Sequence, residues 1–199
     1  VCAIGCVAKD NNSKLNAKHI AFSAMAVALA IATSMIKVIK LPMGGSVTLF
    51  SMLFIVLIGY WYGIKTGLAA SLAYGVLQLL LDPYILNIPQ VFLDYILGFG
   101  ALGLSGIFSN SKHGLIKGYI VGVIGRFICS FLSGWIFFAV YTPEFFNSAI
   151  LYSIVYNGSY IGLEAAVTFV VISLPPVNKA LAYVIKNVYV ILKARGDCS

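Results

Sequence analysis

The chain has 199 residues, 61% of them hydrophobic and 10% charged, with a formal net charge of +7 and a mean hydropathy of +0.98. A soluble domain keeps about 25% of its residues charged and in water, so a water-soluble fold is excluded. The apolar residues come in continuous runs without the alternation of an outer-membrane strand, which selects an all-α integral membrane protein over a β-barrel.

Residues 1–16 are expected to form an N-terminal tail. Within it Ala3-Ile4-Gly5-Cys6 resembles a lipoprotein cleavage box, but no basic stretch with a long apolar core precedes it. Cys2, Cys6, Cys129 and Cys198 include no CxxC pair, so they read as structural or incidental, and no metal or cofactor is expected.

A helix crosses the hydrocarbon in about 20 apolar residues, fewer where the bilayer thins or flanking side chains snorkel. Six runs qualify within a membrane domain spanning 17–174: residues 20–36, 47–62, 67–81, 91–108, 118–141 and 148–174. The first is crowded with small residues at four-residue spacing: Ala17 and Ala21, then Ala24, Ala28 and Ala32, then Ala26 and Ala30. Such faces let another helix approach closely in lipid, either inside the same bundle or in a separate membrane subunit. A GxxxG pattern ends the second run in Gly59-Tyr60-Trp61-Tyr62-Gly63, at an aromatic membrane boundary.

A charge inside a span costs at least about 2.5 kcal/mol, so Asp94, Arg126 and Glu164 each ask for a reason. Arg126 and Glu164 fall at comparable depth and could pair. Arg126, Ser130, Ser133 and Phe137 share one face of the fifth span, and Ser153, Asn157, Tyr160 and Glu164 repeat that spacing in the sixth. Gln90 and Asp94 do the same over one turn of the fourth. Three such stripes predict a buried polar cavity, with Tyr84, Tyr95, Trp135, Phe138, Tyr152 and Tyr156 available to cover a planar or cationic ligand. Taken singly, each ring fits an interfacial aromatic belt better, and the case for the cavity rests on their coincidence with the polar stripes.

Beyond Pro175-Pro176, residues 175–199 are expected to form a cytoplasmic or membrane-surface basic tail. Lys179, Lys186 and Lys193 would share one face of a surface helix, the alternative being a frayed polar tail. With the N-terminus placed inside, Lys9, Lys14, Lys18, Lys65, Lys112, Lys117, Lys179, Lys186, Lys193 and Arg195 fall inside, against Lys37 and Lys40 outside. This asymmetry makes both termini cytoplasmic and ascribes the positive charge to topology and lipid headgroups, with no nucleic acid required.

The wording of several segments is similar to one known family. They are Gly44-Gly45-Ser46-Val47-Thr48-Leu49, Tyr84-Ile85-Leu86, Gln90-Val91-Phe92-Leu93-Asp94-Tyr95 and Gly125-Arg126-Phe127-Ile128-Cys129. Ser133-Gly134-Trp135-Ile136-Phe137-Phe138 and Tyr152-Ser153-Ile154-Val155-Tyr156-Asn157-Gly158-Ser159-Tyr160 continue the match, which runs from Ala17 to about Leu174. In order and spacing these resemble the thiamine-specific S components of energy-coupling-factor vitamin transporters.

The resemblance implies a six-helix subunit of the plasma membrane that binds thiamine from outside. It also implies a transmembrane coupling protein and two ATPases as partners, since this sequence contains no GxxxxGK[ST] loop of its own. By position it implies Asp94 near the cationic vitamin, Tyr95 beside it, Tyr84 from the outer loop, and Tyr152 and Asn157 as polar contacts from the last helix. Phe138 would stack on the ligand and Arg126 replaces what can be a lysine. Gly44, Gly45 and Ser46 resemble a flexible lid, and Ala21, Ala24, Ala28 and Ala32 a docking face.

Two departures stand out. Ser130 occupies a position where many members place histidine, which removes a ring from recognition of the pyrimidine half. Ala21 is followed four residues later by Met25, so the docking motif shifts toward Ala24, Ala28 and Ala32. The competing readings are an S component for another vitamin or thiamine-like compound, a stand-alone proton-coupled transporter, and an intramembrane enzyme. Against the second stands the lack of an internal repeat, and against the third the lack of a base beside Ser130.

Overall fold

The computed structural model describes residues 17–184 except 110, 112, 145, 178 and 182. The expected tail over 1–16, with Cys2 and Cys6, lies outside the described residues, as do Lys112, Lys186, Lys193, Arg195 and Cys198 of the charge and cysteine assignments.

Five helices carry the chain: α1 Ala17–Met35, α2 Ser51–Leu81, α3 Ile88–Phe108, α4 Gly114–Phe137 and α5 Ala149–Ser173. The last four are each long and apolar enough to cross a membrane, and α1 is a shorter apolar helix. Helix α2 is two expected spans joined end to end. It breaks at Gly63, whose backbone lies at φ 82° and ψ 177°, a conformation open essentially to glycine alone. The second glycine of the GxxxG pattern is therefore a hinge within one helix, and six helical segments form an all-α membrane bundle.

The first arm of α2 is the centre of that bundle. Ile55, Val56 and Ile58 are inaccessible to solvent and pack with Ala26 and Ala30 of α1, Leu102 of α3, Tyr119 of α4 and Ile161 of α5. The second arm packs backbone to backbone on the tightly wound end of α3. A Cβ on Gly103 would lie 2.7 Å from the Leu68 Cα, so glycine is what permits the approach.

Between α1 and α2 the expected lid is a β-hairpin. Strand β1 (Lys37–Lys40) pairs antiparallel with β2 (Ser46–Thr48), with a bulge at Val38 and a turn in which Met43 and Gly44 both have positive φ. Residues 47 and 48, expected in the second span, belong to β2, and the helix starts only at Ser51. The cause lies across the bundle. Phe50 precedes the helix and gives it no side-chain cap, and Glu164 of α5 captures the first turn instead. Arg126 and Glu164, which their comparable depth would allow to pair, do not meet: Glu164 turns to the start of α2, and an ion pair instead joins Lys37 of β1 to Asp82 after α2. After Leu174, extended ahead of Pro175, helical backbone resumes at 175–177 and 179–181.

Candidate functional site

All three expected polar stripes face inward. Gln90 of α3, Ser130 and Ser133 of α4, and Ser153, Asn157 and Glu164 of α5 are buried. They surround a cavity roofed by the turn of the hairpin and lined by residues from every helix. Each expected binding residue, Tyr84, Asp94, Tyr95, Arg126, Ser130, Phe138, Tyr152 and Asn157, lines that one cavity, as do Gly44, Gly45 and Ser46 of the turn.

Asp94 and Tyr95 sit where α3 changes its winding. From Phe92 to Leu97 the helix is of the π type, with the Gly98 N–H donating to the Leu93 carbonyl five residues back. The wider turn re-aims both side chains, a device common at functional sites. Asn87 caps the start of α3 by accepting the Gln90 N–H at 2.8 Å. Gln90 Nε2 then donates to Asp94 Oδ2 at 2.7 Å, and Ser133 Oγ donates to the same oxygen at 2.7 Å. Both donors converge on Oδ2, which fixes the carboxylate plane and leaves Oδ1 outside this pair of bonds.

Tyr95 organises the neighbouring loop. Its hydroxyl donates to the Asp82 carbonyl at 3.0 Å and accepts the Tyr84 N–H at 2.9 Å. That pins Tyr84, whose ring stacks on Phe138 with centroids 5.8 Å apart and planes 23° from parallel. On the opposite wall Asn157 Nδ2 donates to the Ser153 carbonyl at 3.0 Å, while its Oδ1 accepts the Tyr160 hydroxyl at 3.0 Å. The amide is thus held in one orientation. Tyr152 reaches the hairpin, its hydroxyl 3.7 Å from Met43 Sδ.

Arg126 lies over the Phe99 ring, its guanidinium carbon 3.9 Å from the centroid, a cation–π seat on α3. Its Nη1 is buried and has no hydrogen-bond partner within the protein. A buried donor left in this state is costly, which marks a place for an acceptor.

Two expectations need correction. Trp135 is exposed on the outside of α4, stacked on Phe131, and does not line the cavity. The cavity is also not confined to the last three spans: Tyr74 and Gln78 of α2 and Asp82 just after it line it, with Gln78 Nε2 donating to the Tyr74 hydroxyl at 2.5 Å. Their four-residue spacing in a run otherwise apolar was a readable signal. On α1, Ala21, Ala24, Ala28 and Ala32 are exposed, whereas Ala26 and Ala30 are buried in the core.

The arrangement can seat a flat cation. A fixed carboxylate, ring faces and a rigid amide surround the space, with one unused guanidinium donor. Among the described residues no group of His, Cys, Asp and Glu could hold a metal ion.

Comparison with known proteins agrees with this chemistry. The profile of the family described as Thiamine transporter protein matches residues 20–184. Thiamine transporter ThiT of Bacillus subtilis (strain 168) is 31% identical over 152 residues, covering 69% of this chain and 77% of that protein. A solved structure of ThiT from Listeria monocytogenes superposes with a TM-score of 0.65 at 24% identity, over 79% of this chain and 94% of the other, and supports the fold.

Proposed function

The chain belongs to the family of thiamine transporter proteins, and on that premise we propose that it captures thiamine from outside as the S component of an energy-coupling-factor transporter. Uptake is then driven by ATP hydrolysis in a separate module, a transmembrane coupling protein with two ATPases. The family is one of multi-pass membrane transporters, not enzymes, and no bond is made or broken in this reading.

Thiamine joins a thiazolium ring, permanently positive, to a neutral aminopyrimidine and a hydroxyethyl group. The observation that carries the reading is the Asp94 carboxylate, held by Gln90 and Ser133 inside an aromatic cavity. It balances the thiazolium charge, which would otherwise be expensive to bring below the membrane surface. Tyr84, Tyr95 and Phe138 cover ring faces, and Tyr152 closes the cavity from the hairpin side. Asn157 and the unpartnered Nη1 of Arg126 answer the heteroatoms of the pyrimidine and the hydroxyl, and Ser130 adds a short hydroxyl between them. The hairpin, through Gly44, Gly45 and Ser46, is the lid. The exposed alanines of α1 are the face that docks on the coupling protein.

Mass spectrometry of the ligand that co-purifies, followed by calorimetric titration of the detergent-purified chain without partners, tests the binding claim. Saturable binding of thiamine is expected. Binding of another vitamin in its place would overturn the substrate assignment. Uptake by this chain alone, driven by a pH gradient in ATP-free vesicles, would overturn the dependence on a coupling module.

A further inference from the structure

Glu164 is a buried carboxylate that none of the proposed ligand contacts uses. Its Oε2 accepts the Thr48 N–H at 3.3 Å and the Thr48 hydroxyl at 2.7 Å. Its Oε1 accepts the Ser51 hydroxyl at 3.1 Å and the Met52 N–H at 3.3 Å. These donors come from two places only: the last residue of β2 and the first turn of α2. Between them lies Phe50 with φ 61°, the left-handed residue about which the chain turns from strand to helix.

We propose that Glu164 is the positioning residue of the lid, a fixed anchor on α5 that holds the pivot between hairpin and helix and so sets where the hairpin closes over the cavity.

Three features support an anchor in place of a mere core contact. The carboxylate meets the N-terminus of α2, where backbone N–H groups and the helix dipole favour a negative group, and α2 lacks a local cap. Two of the bonds are to backbone N–H groups, so their geometry follows the chain and not a rotatable side chain. Thr48 and Ser51 themselves line the cavity, so the anchor lies one residue layer beneath the ligand space. The Thr48 and Ser51 hydroxyls also touch each other at 2.8 Å. With two protons for three contacts, they share the carboxylate as one network.

Substituting glutamine separates anchoring from packing. Glu164→Gln keeps size and shape but turns one acceptor oxygen into an NH2 donor. On either side of the pivot that NH2 meets one hydroxyl, which can rotate, and one backbone N–H, which cannot. One backbone donor is therefore left unsatisfied at the pivot.

This inference rests on reading the hairpin as the lid of a thiamine site, and two measurements on detergent-purified full chain keep the failures apart. The first is stopped-flow binding of thiamine, giving association and dissociation rates separately. Glu164→Gln is expected to release thiamine about tenfold faster, with an association rate changed less than about threefold. Thr48→Val, which keeps the backbone bond to Glu164 and deletes the hydroxyl's contacts with Glu164 and Ser51, is expected to shift dissociation in the same direction by a smaller factor. The second is hydrogen exchange without ligand, in which Glu164→Gln is expected to accelerate exchange over residues 37–52 and leave α3 and α4 as in the parent.

Unchanged release and unchanged hairpin exchange in a folded Glu164→Gln variant would overturn the proposal. So would exchange raised equally in all helices, which would make Glu164 a packing residue. If the parent itself does not bind thiamine, the transport reading falls, and the exchange pattern still decides whether Glu164 anchors the hairpin.

Discussion

The Tyr156 hydroxyl accepts the Gly45 N–H at 3.1 Å and donates to the Pro42 carbonyl, so one oxygen on α5 clasps both sides of the hairpin turn. Gly45 is confined by this clasp. A Cβ there would lie 2.6 Å from the Tyr156 oxygen and 3.1 Å from Tyr160 Cδ1. Tyr156→Phe keeps the ring and removes both bonds. At a net worth of about 0.5–1.5 kcal/mol for each bond, thiamine affinity should fall roughly 5- to 150-fold, through faster release. Stopped-flow dissociation checks it; a variant with parental release would mean that the clasp does not hold the lid.

The charge of Asp94 is separable from its shape. Because Gln90 and Ser133 both donate to Oδ2, an asparagine with its oxygen in that position keeps both bonds. Asp94→Asn therefore removes charge alone. Thiamine binding should weaken roughly 100-fold, about 3 kcal/mol, while an analogue with a neutral thiazole loses little. Parallel calorimetric titrations of both ligands decide it, since equal losses would assign Asp94 a polar role and not that of counter-ion.

The close approach of α2 and α3 yields a stability prediction. In Gly103→Ala the new methyl would lie 2.7 Å from the Leu68 Cα and backbone nitrogen and 2.6 Å from Ser71 Oγ. Backbone cannot yield as a side chain can, so a loss of about 1–3 kcal/mol or more is expected. Gly162, in α5, has nothing within 4 Å of its Cβ position, and Gly162→Ala should be neutral or slightly stabilising. Thermal unfolding in detergent compares the two. A Gly103→Ala melting point at or above the parent's would contradict the packing argument.

Long apolar runs made the helices legible, and the side-chain period made the inward stripes legible, because burying polar groups in hydrocarbon leaves few alternatives. The hairpin was not, since Lys37-Val38-Ile39-Lys40 is short and largely exposed, and only its pairing partner β2 makes it a strand. The partner of Glu164 was not legible, because depth along a helix supplies one coordinate and pairing needs the rotation of both helices as well. Arg126 turns onto Phe99, and Glu164 turns toward Thr48 and Ser51. Trp135 points away from the cavity for the same reason: the rotation of α4 places it outside. Tyr74, Gln78 and Asp82 carry a four-residue spacing that places them on one face, a legible signal in an otherwise apolar run.

The alanines of α1 separate into two stripes with opposite surroundings, and this distinguishes docking from internal packing. Ala30 is wholly buried and Ala26 nearly so, against the first arm of α2, whereas Ala24, Ala28 and Ala32 are exposed and none of them lines the cavity. A bulky residue on the outer stripe should therefore leave the fold and the site alone. Ala28→Trp is expected to bind thiamine within about twofold of the parent and to unfold at the same temperature. In vesicles carrying the coupling protein and its ATPases, ATP-dependent uptake should drop at least about tenfold, because the indole holds the partner helix off a face built for close approach. Ala30→Leu should do the reverse of this in detergent, losing about 1–3 kcal/mol of stability with no partner present. If Ala28→Trp transports as well as the parent, the coupling protein docks elsewhere, and the outer alanines serve only as a smooth face toward lipid.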